Sequence, residues 1–154
     1  VFHTAPLPYG RGGSPIQNLI LRGFKKSPVC ALKMGKKLDA GDIYGKFDVD
    51  LQGNLDEILK RLNYAINKLI PKLLDGNIKP KRQKGKTVKF NRLLQKDNLI
   101  KTGLTIDQIY DRVRMLDHHD YPSPYICIGN YKIEFSDAKK EAKALICSAK
   151  ITIL

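Results

Sequence analysis

The sequence predicts an α/β fold: part of one sheet with flanking helices, followed by a small β-rich C-terminal extension. Three observations carry that expectation. A helix with both ends written into the sequence begins at Ser14, two strand-like runs follow it, and from Asn54 the apolar residues recur at helical spacing. The strands are too few for a free-standing doubly wound sheet, so the first part reads as half of a domain.

Ser14-Pro15 ahead of "IQNLILRG" sets Ser14 as N-cap, Pro15 at the first helical position and Gly23 as the stop. "PVCALKM" reads as a buried strand, "GKKLDAGD" as a turn and "IYGKFDV" as a second strand, which together predict a hairpin around Asp39 and Asp42. In the next helix Leu55, Ile58, Leu59, Leu62, Ile66, Leu69 and Ile70 form an apolar stripe, Asn54 and Glu57 have capping-box spacing, and Pro71 is expected to kink or end it. The apolar faces of the two helices are expected to cover the sheet that contains "VCALKM". From Lys79 to Arg92 the run "KPKRQKGKTVKFNR" carries seven cations and no acid, the signature of a solvated loop or extended arm. Thr105 with Gln108 caps a further helix through "IDQIYDRVRML". "YICIGNYKIEF" is a hairpin turning at Gly129-Asn130, and "ALICSAKITIL" adds another strand or two.

Composition sets the outer bounds. With 154 residues and 42% hydrophobic content the chain can bury one ordinary core, which excludes a disordered tail. Its net charge of +13 attracts anions such as phosphates, nucleic acid or polyglutamate tails. Cys30, Cys127 and Cys147 are widely spaced and odd in number, so buried thiols in a reducing compartment are expected rather than a disulfide framework or a zinc site. No apolar run is long enough to span a bilayer and no signal-peptide pattern is present, so the expected location is the cytoplasm, without a membrane partner. "GRGGS" lacks the lysine and the spacing of a P-loop. His118-His119, between Asp117 and Asp120, reads as a surface turn whose adjacent rings point in different directions, and no metal site is expected.

The opening stretch carries a resemblance. His3, the run Leu7-Pro8-Tyr9-Gly10-Arg11-Gly12, Pro15-Ile16-Gln17 and then Leu38-Asp39-Ala40-Gly41-Asp42 resemble, in order and spacing, the second half of the catalytic domain of the 10-formyltetrahydrofolate-dependent formyltransferases. That family includes methionyl-tRNA formyltransferase and the amino-sugar N-formyltransferases. "IYDRVRMLDHHDYPSPYI" resembles the segment that follows the catalytic domain. The resemblance implies part of a Rossmann-like sheet over residues 1–102 and a small helix plus β-hairpin extension over residues 103–154. It implies 10-formyltetrahydrofolate as formyl donor and a primary amine, on an amino sugar or methionyl-tRNA, as acceptor. His3 and Asp39 take the catalytic positions, and Pro6, Leu7, Pro8, Gly12, Met34 and Asp42 surround the donor.

Formyl transfer needs a hydrogen-bond donor near the oxygen that becomes an oxyanion and an acceptor for the proton of the attacking amine. His3 suits the first role. Asp39 either keeps the ring charged or takes the proton. The family's pattern places asparagine two residues before the histidine, where this chain has Val1, which has no side-chain donor. A different class of reading also follows from the charge, in which a non-catalytic basic RNA-binding or structural domain retains the fold; its mark would be RNA affinity that falls steeply with salt.

Overall fold

The computed structural model describes residues 1–154, and the chain divides into two compact units. The first comprises residues 1–52 and 57–92, the second residues 53–56 and 93–154.

The first unit is built on a three-stranded sheet of order β1-β3-β4, from β1 (Phe2–Thr4), β3 (Lys26–Leu32) and β4 (Ile43–Asp50). Both pairings are antiparallel, and the architecture is mixed α/β as expected. The predicted hairpin is present, with β3 and β4 joined by the connection over residues 33–42. A second, two-stranded sheet pairs β2 (Tyr9–Gly12) in parallel with β5 (Val88–Phe90).

Helix α1 (Pro15–Ile20) has proline at its start, yet Ser14 sits in the left-handed region at φ 45° and makes no side-chain cap bond. The end follows the sequence more closely. Gly23, at φ 77°, donates to the Ile20 carbonyl while Phe24 donates to Leu19, the paired bonds of a Schellman stop. Helix α2 (Leu55–Leu74) continues past Pro71, because a proline so near the end removes one backbone bond and leaves only the final turn to complete. Leu62 and Leu69 on α2 are buried and Ile66 is half-buried, and the ring of Tyr64 meets Phe47 of β4 edge-on at 6.1 Å. Leu19, Ile20, Val29, Leu51 and Ile58 are among the fully buried side chains.

The basic run departs from expectation. Rather than a solvated arm, residues 79–92 are docked by backbone bonds: Lys81 exchanges N–H and carbonyl with Ile43, Val88 donates to Pro8, and Gly13 donates to Phe90. The Phe90 ring anchors it, 3% exposed, edge-on to Tyr9 at 5.4 Å and beneath the Arg22 guanidinium at 4.5 Å. Aromatic burial outweighs the cationic composition here.

In the second unit, α3 (Ile106–Arg114) starts with the expected capping box of Thr105 and Gln108. β6 (Tyr125–Ile128), β7 (Tyr131–Lys140) and β8 (Leu145–Ile153) form an antiparallel sheet in that order, so the last run is one strand. Arg114 is buried at 2% exposure, with its charge met by Asp111 at 2.6 Å and the Gly53 carbonyl at 2.8 Å. Of the cysteines only Cys30 is buried; Cys127 is exposed, Cys147 lies between, and all three are free thiols. The hairpin turn leaves Cys127 on an open strand, which its apolar neighbours in sequence do not reveal. No helix is long and apolar enough to cross a membrane.

Candidate active site

Three segments of the first unit converge on His3. Pairing of β1 with β3 sets His3 opposite Cys30 and buries the ring. Its Nε2 lies 2.7 Å from the Gly10 carbonyl, which can only accept, so Nε2 carries hydrogen. Nδ1 is left facing Asp39 Oδ2 at 3.5 Å, with the two side chains 8% and 13% exposed.

Asp39 is held from a second side. The Gly12 N–H donates to the same Oδ2 at 2.9 Å. This contact depends on two unusual backbones, Asp39 at φ 48° and Gly12 at φ 114°. A Cβ on Gly12 would collide with the Phe90 carbonyl oxygen, so the close approach of β2 and β5 admits only glycine. Gly41 is constrained likewise, by the Lys33 carbonyl.

A third segment closes the arrangement. The Gln83 side chain accepts from Arg11 Nε at 3.1 Å and Nη2 at 2.7 Å, and donates to the carbonyls of Asp39 and Gly41, each at 2.8 Å. Beside it a cleft of about 360 Å³ opens between Arg11-Gly12, Lys37-Leu38 and Lys89 to Asn91. A further cavity of about 560 Å³ runs past Leu7 and Ile43, with Lys79, Lys81, Arg82 and Lys84 in its walls, a setting complementary to anions.

The structure thus brings His3, Asp39 and Gly12 together. Leu7 and Pro8 are buried under the loop and Pro6 is half-buried. Asp42 closes the base of the turn through its carbonyl, which accepts from the Lys33 N–H at 2.8 Å. Met34 is 79% exposed, outside the His3–Asp39 contact. Val1 is 60% exposed and exchanges backbone bonds with Leu32. Sequence reasoning missed Gly10, whose role is a carbonyl, and Gln83, whose only signal was being the single uncharged amide amid the cations of "KRQKGK". The Cys30 thiol donates to the Ala5 carbonyl at 3.3 Å, and burial pushes its pKa up against the opposing pull of Lys46, which keeps it a thiol.

In the second unit, His118 and His119 do not point apart. Their rings stack at 4.2 Å and 26°, since the turn at 117–120 folds one over the other, and with Asp120 their ligand atoms lie within 4.8 Å. His118 Nδ1 accepts from the Asp120 N–H at 3.1 Å and Nε2 faces Asp56 at 3.6 Å.

Comparison with known proteins follows this geometry. The profile of the C-terminal domain of methionyl-tRNA formyltransferase matches residues 95–152. Methionyl-tRNA formyltransferase of Bacillus licheniformis is 30% identical over 145 residues, 90% of this chain and 45% of that protein. Among solved structures, methionyl-tRNA formyltransferase from Clostridium thermocellum superposes with a TM-score of 0.96 at 41% identity, covering 99% of this chain and 68% of that one. An N-formyltransferase from Helicobacter canadensis, solved in complex with folinic acid and dTDP-3-aminofucose, shares the fold at a TM-score of 0.63 and 16% identity, over 99% of this chain and 65% of that one. The fold is that of the N-formyltransferase class. Within it, the chain belongs to the 10-formyltetrahydrofolate-dependent formyltransferase family that includes methionyl-tRNA formyltransferase. It spans about 45% of the length of the curated relatives it matches.

Proposed function

We propose that the intact protein transfers a formyl group from 10-formyltetrahydrofolate to the amine of methionyl-tRNA in the cytoplasm. Residues 1–102 contribute the second half of a catalytic domain, in which β1, β3 and β4 extend a Rossmann-like sheet, and residues 103–154 contribute to the C-terminal extension. The observation that carries the reading is the Asp39 carboxylate, shared between the Gly12 N–H and the His3 ring. Methionyl-tRNA is favoured over an amino sugar as acceptor by the match of residues 95–152 to the C-terminal domain of the tRNA enzymes.

The donor supplies the formyl carbon when bound, and the loop from Pro6 to Gly12 with the turn from Met34 to Asp42 provides the walls for it. His3 acts on the reacting oxygen. Its Nε2–H rests on the Gly10 carbonyl, and exchanging that acceptor for a developing oxyanion keeps the polarity of the contact while placing positive charge where negative charge grows. Asp39 fixes the ring's orientation through Nδ1, and its carboxylate is the acceptor that takes the amine's departing proton as the new N–C bond forms and the bond from the formyl carbon to the donor breaks. Glycines at 10 and 12 let the backbone reach a flat ligand without side chains between.

The test is formyl transfer by the intact protein with methionyl-tRNA and a nucleotide-linked amino sugar offered separately. Formylation of methionyl-tRNA is expected. Formylation of the sugar alone overturns the acceptor, and formylation of neither overturns the reading.

A further inference from the structure

We infer that Gln83 is a positioning residue for the Asp39 carboxylate, set there by a segment that the composition reads as a solvated arm. The inference rests on the formyl-transfer reading for its effect on rate, and on the hydrogen bonds alone for its effect on structure.

The side chain uses every polar function it has. Both contacts at Oε1 come from the Arg11 guanidinium, at 3.1 and 2.7 Å, and both contacts at Nε2 go to backbone carbonyls, Asp39 and Gly41, at 2.8 Å each. Exchanging the amide's oxygen and nitrogen would set N–H against N–H and oxygen against two carbonyls, so only one orientation is compatible with the surroundings. A half-buried amide satisfied four times over is a rigid joint rather than a surface contact.

What it joins is specific. One side is Arg11, the neighbour of Gly12 on β2; the other is the carbonyl of Asp39 itself, the non-glycine residue held at φ 48°. Between these two anchors lies the contact in which the Gly12 N–H donates to Asp39 Oδ2. The connection over residues 33–42 is exposed from Lys33 to Leu38, so little else fixes the height of Asp39 over β2. Gln83 has its own firm base, through the Lys81–Ile43 backbone pair on one side and the β2–β5 pairing on the other. A backbone conformation that side chains rarely adopt persists where its surroundings over-determine it. Here the Gln83 amide supplies that determination from 44 residues away in sequence.

Two substitutions separate the halves of the joint. Gln83→Glu keeps an acceptor for Arg11 but turns an oxygen toward the two carbonyls, which repels the turn alone. Gln83→Met removes both halves without adding charge and serves if the glutamate variant does not fold. In the intact protein, hydrogen exchange at the Gly12 amide, kcat, donor affinity and Tm are measured together.

For Gln83→Glu, Gly12 exchange should speed up about tenfold or more as the contact opens. kcat should fall by about tenfold to a hundredfold, the scale of a misplaced catalytic group. Donor affinity should stay within about threefold, because the loss falls on the reacting centre. Tm should fall by several degrees, since the two part-buried carbonyls lose their donor. Parent-like Gly12 exchange in both variants overturns the positioning role, as does faster exchange with unchanged kcat, or a loss confined to donor affinity. Faster Gly12 exchange in a protein whose parent form transfers no formyl group leaves the joint established and defeats the formyl-transfer reading instead.

Discussion

Two histidine–carboxylate pairs in this chain have nearly the same separation and different surroundings. His3 and Asp39 approach to 3.5 Å, and His118 and Asp56 to 3.6 Å. Asp39 is 13% exposed and Asp56 is 53% exposed. The first pair is assembled from β1 and the β3–β4 turn, with Gly12 and Gln83 bonding to Asp39 from two further segments. In the second, His118 leans on its chain neighbours His119, Asp120 and Tyr121. Distance alone therefore does not distinguish a reaction site from a polar turn. Enclosure of the carboxylate is what sets the proposed site apart, because it removes competing water and fixes geometry before a ligand arrives.

The sharpest way to break that comparison is to remove the charge from each pair. Asp39→Asn keeps the shape but loses the partner of a protonated ring, and formyl transfer by the intact protein should drop on the order of a hundredfold to a thousandfold. Donor binding should change far less, the pattern of an interaction made in the transition state. His118→Ala should leave the rate as it is. Equal losses in the two variants would erase the distinction between the pairs.

The next largest effect is on stability. Gly12→Ala places a Cβ against the Phe90 carbonyl at φ 114°, so the β2–β5 pairing must open and the bond to Asp39 goes with it. A loss of about 2–4 kcal/mol is expected, the backbone strain adding to the broken contacts. In the second unit, Gly129 at φ 55° has no atom within 4 Å of an added Cβ. Gly129→Ala therefore meets only the left-handed conformation, at about 1 kcal/mol. Urea melts of the two variants give the difference. Equal costs would show that the loop at Gly12 is not closely packed.

Much of what short-range chemistry determines was legible in the sequence. The Thr105–Gln108 capping box, the β3–β4 hairpin, the Gly23 stop and the turn at Gly129 each depend on a handful of adjacent residues. His3 and Asp39 were legible through the order of two motifs. Gln83 was not, since its partners Arg11 and Asp39 lie 72 and 44 residues away, and a run rich in lysine looks solvated until Phe90 is seen to be buried. Ser14 failed in the opposite sense. Ser-Pro is good cap chemistry, but the left-handed backbone leading out of Gly13 turns the side chain away from the cap position.

The smallest effect concerns the crowding of carboxylates around His118. Asp117 has its pKa raised, first by burial and then by the nearby charges of Asp137 and Asp56, against the Asp137 N–H it accepts. A raised carboxylate pKa means that the folded state disfavours the charged form. No penalty exists at a pH low enough to protonate Asp117 in both states; it grows as pH rises through the ordinary carboxylate range and is complete above the folded value. Asp117→Asn keeps an oxygen for the Asp137 N–H, so it removes the penalty alone. The variant should melt slightly higher than the parent at neutral pH and alongside it in acid. A second readout comes from Cys147, whose thiol is pushed up by burial and then by Asp117 and Asp137. With one of those anions gone the thiolate is less disfavoured, and Cys147 should be alkylated faster in the variant at the same pH. Identical melting at neutral pH together with identical Cys147 reactivity would mean that these carboxylates do not repel one another, and that the second cluster is only a solvated turn.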